Sequence, residues 1–213
     1  MMRTCWVLLL ILAAAAPAAA AEVLDCVVAT VGRQAITRSA VDEQARIAAF
    51  LNGDATPDVS PAGRRRTLER LIDVALIRRE MEISRYAAPP GGARLPKQNQ
   101  DPKALAALGL DEAAVKRHLE LQAQTLRFVE LRFRPGSSVT DGEMELYYRE
   151  KYVPEWQRAN PGKPTPPELD DVRDRIEAVL LEQRIDQAME VWLKEARAQA
   201  RLRYVAAEAC AWD

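Results

Sequence analysis

Residues 168–205, ELDDVRDRIEAVLLEQRIDQAMEVWLKEARAQARLRYV, decide the fold class. Val172, Ile176, Val179 and Leu180 recur at helical spacing. Ile185, Met189, Trp192, Leu193 and Ala196 carry the apolar face through the second half. Glu168, Asp170 and Asp171 crowd the start, where acidic side chains offset the positive end of the helix dipole. That placement explains the three carboxylates without a metal. After Ala200 the period changes: residues 201–205, RLRYV, alternate polar and apolar, which is a strand pattern. A lone terminal strand must pair with something. The only other strand material in the sequence is residues 23–37, so the two ends of the chain are expected to meet in one small sheet.

Working outward, residues 23–31 (VLDCVVATV) form a β-branched run, Gly32-Arg33-Gln34 a turn and Ala35-Ile36-Thr37 a returning strand. Thr37 or Ser39 can cap a helix that runs through Val41, Ile47 and Phe50 to Asn52-Gly53. Ser60-Pro61 starts the next helix, with a hydroxyl cap and a proline where no donor is lost. Leu68, Leu71, Ile72, Ala75, Leu76 and Ile83 give it one apolar face, and Val74, Ile77 and Met81 a second, so it reads as the central helix of the domain. Residues 87–102 (AAPPGGARLPKQNQDP) read as a loop. A helix resumes near Asp111 with the stripe Val115, Leu119, Gln122, Leu126, Val129 and Phe133, and Pro135-Gly136 ends it. Thr140 and Glu143 form a capping box, followed by Met144, Tyr148 and Tyr152 on one face with Tyr147 beside them. Residues 153–168, rich in proline, read as a linker. The expected fold is therefore mainly α: a single helical module over residues 22–213, its parts 22–152 and 169–213 joined by the linker, with a small sheet pairing the N-terminal hairpin and the C-terminal strand.

Residues 1–21, MMRTCWVLLLILAAAAPAAAA, read as a secretory signal peptide: Arg3, an apolar run, then small residues before Glu22. A spanning helix needs about 20 apolar residues, and this run is shorter and broken by Pro17, so no stable membrane anchor is expected after cleavage. Val23-Leu24-Asp25 before Cys26 does not suit lipidation. The expected location is the periplasm. Of three cysteines, cleavage leaves Cys26 and Cys210. In an oxidising compartment such a pair either forms a disulfide or consists of two unrelated small residues. The strands that they flank are expected to pair, which brings a Cys26–Cys210 bridge within reach. No second cysteine lies near either, so a redox motif or zinc site is unsupported.

Composition narrows the function classes. Thirty basic side chains face 31 acidic ones, hydrophobic residues make up 48% of the chain and charged residues 29%, which is globular. No basic stripe interleaved with aromatics appears, so nucleic acid is not an expected partner. No nucleotide motif, nucleophile elbow or zinc-protease helix is present, and no cofactor or metal is implied. His118, the single histidine, sits at the edge of an apolar stripe and reads as a helix-surface residue. Arg64-Arg65-Arg66, and Glu80 and Glu82 among Arg78, Arg79 and Arg85, read as solvated helix flanks. Tyr147, Tyr148, Tyr152 and Trp156 carry more information. Either they pack on the helical core, or they form an apolar surface for other polypeptides, since large rings of low rotamer entropy are typical of binding surfaces.

Four stretches together resemble the core module of the SurA-like periplasmic chaperones, relatives of the parvulin-type foldases. VVATVGRQAITRSAVDEQ (27–44) is similar to their opening hairpin and first helix, and RRTLERLIDVALIRREMEISRY (65–86) to their long Leu-Ile helix. SSVTDGEMELYYREKY (137–152) is similar to their entry helix with V-T-D and paired tyrosines, and VRDRIEAVLLEQRIDQAMEVWLKEARAQARLRY (172–204) to their closing helix and strand. The resemblance implies a sheet shared by the opening hairpin and closing strand, and ATP-independent binding of unfolded or exported polypeptides, with outer-membrane proteins as clients. In that family a parvulin domain is inserted between the last two stretches. Here only residues 152–168 stand there, too few for such a fold, so prolyl isomerase activity is not expected, although it is the enzyme-class alternative. A third possibility is an envelope assembly subunit with one fixed partner. Tyr148, Tyr152 and Trp156 are the expected peptide-binding residues, on the side that the missing domain would leave uncovered.

Export is directly testable: material secreted by a Gram-negative host should have the intact mass of a chain starting near Glu22. A full-length chain retained in the membrane contradicts the signal-peptide reading.

Overall fold

The computed structural model describes residues 25–87, 102–163 and 165–205; the predicted signal peptide, Cys210 and most of the 87–102 loop lie outside them. The chain is mainly helical with one three-stranded antiparallel sheet. Strand β1 (Val27–Val31) pairs on one side with β2 (Gln34–Thr37) and on the other with β3 (Leu202–Tyr204), giving the order β2-β1-β3. Thr30 lies opposite Ala35 in the hairpin and opposite Arg203 in the closing pair. The first and last described strands therefore pair, as the alternation of residues 201–205 predicts. Cys26, just before β1, accepts a hydrogen bond at its carbonyl from the Arg38 amide at 2.8 Å and is disulfide-bonded.

Caps set the helix ends where the sequence places them. Helix α1 (Arg38–Asn52) starts at Thr37, whose hydroxyl accepts from the Ala40 amide, and stops at Gly53 in the left-handed region at φ +79°, the conformation that favours glycine. Helix α2 (Pro61–Ile83) starts at Ser60, whose hydroxyl accepts from Gly63. Arg64 is not solvated: its guanidinium pairs with Asp42 of α1 at 2.8 Å and ties the two helices together. From residue 102 on, helix α3 (Pro102–Ala107) precedes α4 (Glu112–Phe133), α5 (Asp141–Tyr147), a π-helical turn (Tyr148–Tyr152), α6 (Val153–Ala159) and the 31-residue α7 (Leu169–Gln199).

Three clusters form the body. Val28, Ala29, Val31 and Ile36 of the sheet pack on Val41 of α1 and on Leu68, Ile72, Ala75 and Leu76 of α2, closed over by Trp192, Leu193 and Ala196 of α7. Ile47, Ala49 and Phe50 of α1 meet Leu105 of α3, Leu108 just beyond it and Val115 of α4. Ile77 and Met81 of α2 meet Phe128 of α4, again beside Trp192. The fourth cluster lies outside this body, where Met144 of α5 packs on Val172 and Ile176 of α7. Helix α2 is thus central to the body, while α7 is the element that spans body and fourth cluster. A polar clamp fixes its far end: Arg197 donates to Asp73 at 2.8 Å and to Glu69 at 2.6 Å, and the Tyr204 hydroxyl donates to Glu69 at 3.0 Å.

Four further sequence expectations are corrected. Residues 102–107 are helical, with Leu105 buried; Pro102 opens that helix, at a position where proline costs no hydrogen bond. The α4 stripe does not hold through Gln122 and Leu126, both exposed, the latter 60%. Phe128 is buried instead, because α4 leaves α1 and α3 and turns its second half to α2 and α7. Ile83, assigned to the core face, is the last residue of α2 and is 65% exposed. The linker begins late: residues 153–159 are helical, since Pro154 stands in the first turn of α6.

Ile72 is fully buried, whereas Ile83 is not. Ile72→Ala should lower unfolding free energy by about 2–5 kcal/mol, and Ile83→Ala should change it by no more than about 0.5 kcal/mol; denaturant melts of the two variants check the contrast.

Candidate functional site

The tyrosine-rich segment leads to an apolar groove against α7, and its geometry starts with the capping box. The Thr140 backbone amide donates to Glu143 at 2.8 Å, and the Glu143 amide donates back to the Thr140 hydroxyl. Two arginines of α7 then hold the start of α5. Arg173 donates to Asp141 at 2.7 Å and also pairs with Asp170. Arg184, three turns further on, donates to Glu143 and to the Ser138 carbonyl. The acidic first turn of α5 thus joins the two helices, while Asp170 pairs within α7 itself.

Pro154 shapes the junction between α5 and α6. It has no amide hydrogen, and its ring crowds the carbonyl one turn back. The chain widens into the π-helical turn, in which the Val153 amide donates to the Tyr148 carbonyl five residues earlier. In a regular α-helix Tyr147 and Tyr152 would face about 140° apart; the i→i+5 turn brings them toward one side. Together with Trp156, Ala159 and Asn160 of the α6 region, and Arg175, Ile176 and Val179 of α7, they line a groove of about 320 Å³, with Glu155 also in its wall. Asn160 ends α6 by donating its side-chain amide to the Trp156 carbonyl at 2.9 Å, which fixes the turn carrying the indole.

The expected peptide-binding residues separate here. Tyr152 and Trp156 line the groove. Tyr148 does not: its ring stacks on Tyr152 with centroids 5.8 Å apart, and its hydroxyl donates to the Pro167 carbonyl at 2.8 Å, strapping the segment before α7 in place. All four aromatics are half-buried rather than exposed, which fits packing on the helices and leaves part of each ring accessible. Tyr147, Tyr148 and Tyr152 pack against Met144, Val172 and Ile176, and Tyr147, Tyr152 and Trp156 line the groove. The sequence places Tyr147 only beside the others; its part in the wall comes from the π turn, for which Pro154 is the available signal.

Other candidates carry less. His118 is half-buried on α4, and burial pushes its pKa down, favouring the neutral ring. Among the described residues, no group of His, Cys, Asp and Glu side chains is placed to hold a metal ion, and no helix is long and apolar enough to cross a membrane. Of the expected disulfide pair, only Cys26 is among the described residues. Compared with models of known protein families and with curated proteins, the chain matches none.

Glu143 is partly exposed, and its pKa is held below the ordinary carboxylate range, first by the Thr140 amide and hydroxyl and then by Arg184. A depressed folded-state value means that the contribution is complete above the ordinary glutamate range and is lost as pH falls through the lower folded value. The melting temperature should fall across that acid window, and Glu143→Gln should flatten the fall; an unchanged acid limb contradicts the linkage. Thr140→Ala should cost about 1 kcal/mol at neutral pH.

Proposed function

We propose that the chain is an ATP-independent, SurA-like chaperone of the periplasm that holds unfolded or exported polypeptides, outer-membrane proteins among them, and has no isomerase activity and needs no cofactor. The observation that carries this reading is the groove walled by Tyr147, Tyr152 and Trp156 over Ile176 and Val179. Its volume is at the small end of the range for ligand sites and suits the insertion of a large apolar side chain from an extended client. Rings give such a surface wide contact at low entropic cost. Glu155, Arg175 and Asn160 in the same lining offer polar contacts for a client backbone.

A second support is the order of elements. An opening hairpin and closing strand in one sheet are what the resemblance implies for a chaperone core, and the long helix and the tyrosine-bearing helix stand between them in the order of the resembling stretches. Residues 152–168, where relatives would carry a parvulin domain, comprise α6 and a short connection to α7.

The purified protein should delay aggregation of an unrelated unfolded protein and leave a proline-peptide isomerisation assay at its uncatalysed rate. Trp156→Ala should weaken client binding by roughly 1–2 kcal/mol, the scale of an aromatic interface contact, with little change in melting temperature. Tyr148→Phe should do the reverse, costing about 1 kcal/mol of stability for its lost hydrogen bond and leaving client binding intact. No effect on aggregation, with a single stoichiometric partner recovered from envelope extract, would replace this reading by a fixed-partner subunit.

A further inference from the structure

A second cavity, of about 730 Å³, lies on the body of the molecule away from the aromatic groove. Its lining is Val31, Gly32, Arg33, Gln34, Ala75, Arg79, Glu82, Gln199 and Arg201. Three arginines from three separate elements line this cavity together with one acidic residue, Glu82. Among the described residues, none of Arg33, Arg79 and Arg201 is in an ion pair. Their convergence is built by the fold. Gly32 turns the hairpin at φ +61°, a conformation that favours glycine, and its amide donates to the Arg201 carbonyl at 3.1 Å. That bond pins the start of β3 beside the turn, so that Arg201 and Arg33 reach the same cavity. Arg79 joins them from α2, one turn beyond the buried Ala75, with Glu82 three residues on.

Three like charges around one concavity repel, and the cavity holds a single compensating carboxylate. Guanidinium forks arriving from different directions suit a tetrahedral, many-oxygen anion better than a flat carboxylate, which one fork already satisfies. The carboxamides of Gln34 and Gln199 add neutral donors. The volume lies within the range of small-molecule sites. We infer that the cavity between the hairpin turn, α2 and the end of α7 binds a multiply charged phosphate group through Arg33, Arg79 and Arg201. The site is independent of the aromatic groove and of the function proposed for it.

Two sources carry this chemistry, a free phosphate compound and a phospholipid headgroup. The purified full chain is titrated calorimetrically with inorganic pyrophosphate, and is sedimented with vesicles of phosphatidylglycerol or of phosphatidylcholine. Binding should weaken as salt is raised. Arg33→Gln and Arg79→Gln should each reduce affinity about tenfold, the effect of losing charge-assisted hydrogen bonds. Glu82→Gln should increase affinity, an outcome that a misfolded variant cannot give. Arg117→Gln, on the exposed surface of α4, should change nothing. Pyrophosphate binding with this pattern assigns a free phosphate ligand; sedimentation with phosphatidylglycerol alone, with the same pattern, assigns a headgroup. No binding to either probe, or binding that Arg33→Gln, Arg79→Gln and Glu82→Gln leave unchanged, overturns the inference.

Discussion

The pairing of β1 with β3 is the constraint on which the other parts depend. Strand β3 has three residues and stands at an edge, so it has no stability of its own. Its place is set by the ladder to β1 and by the clamp in which Arg197 and Tyr204 reach Glu69 and Asp73 of α2. Once that end is fixed, a helix of 31 residues, about 46 Å long, has to run back across the body and past it. Its second half covers the sheet with Trp192, Leu193 and Ala196. Its first half carries Val172 and Ile176 into a separate cluster, where α5 and the tyrosines pack.

The groove is a consequence of that projection together with one proline. Helix α5 is short, and its orientation is set by Arg173 and Arg184 at two points along α7. Pro154 then interrupts the hydrogen-bond ladder, and the resulting π turn changes which side chains face α7. Without it Tyr147 and Tyr152 would diverge, and Ile176 and Val179 would be walled by fewer rings. Tyr148 commits its hydroxyl to Pro167, closing the connection so that α6 stays near α7. Shape, local packing and the candidate client surface thus come from the same few residues.

Much of this is legible in the chain because the signals are local. Thr37, Ser60, Asp111 and Thr140 cap helices where a short polar side chain precedes an apolar period. The change of period at Arg201 predicts a strand, and the shortage of strand material elsewhere names its partner. What escapes is what depends on tertiary direction. The change of face along α4, with Phe128 in and Leu126 out, reflects which helix lies opposite, and the exposure of Ile83 reflects where α2 outruns its neighbours. Tyr148 is assigned to the client surface because a missing domain would leave that side uncovered, and its actual partner, the Pro167 carbonyl 19 residues on, is set by tertiary packing. Likewise Arg33, Arg79 and Arg201 are dispersed in sequence, and only the Gly32–Arg201 bond and the path of α2 bring them to one cavity.

The account is tested most directly by native-state hydrogen exchange at β3. Thr30 and Arg203 lie opposite one another, between the Gly32–Arg201 and Val28–Val205 hydrogen bonds, so antiparallel alternation makes them a mutually bonded pair. If closure of the chain ends organises the fold, the Arg203 amide should exchange only through opening as costly as that of β1, with protection approaching the global stability. Exchange of Arg203 at the rate of an unstructured amide, while the amides of β1 stay protected, would show that the sheet and body stand without β3 and would contradict the account.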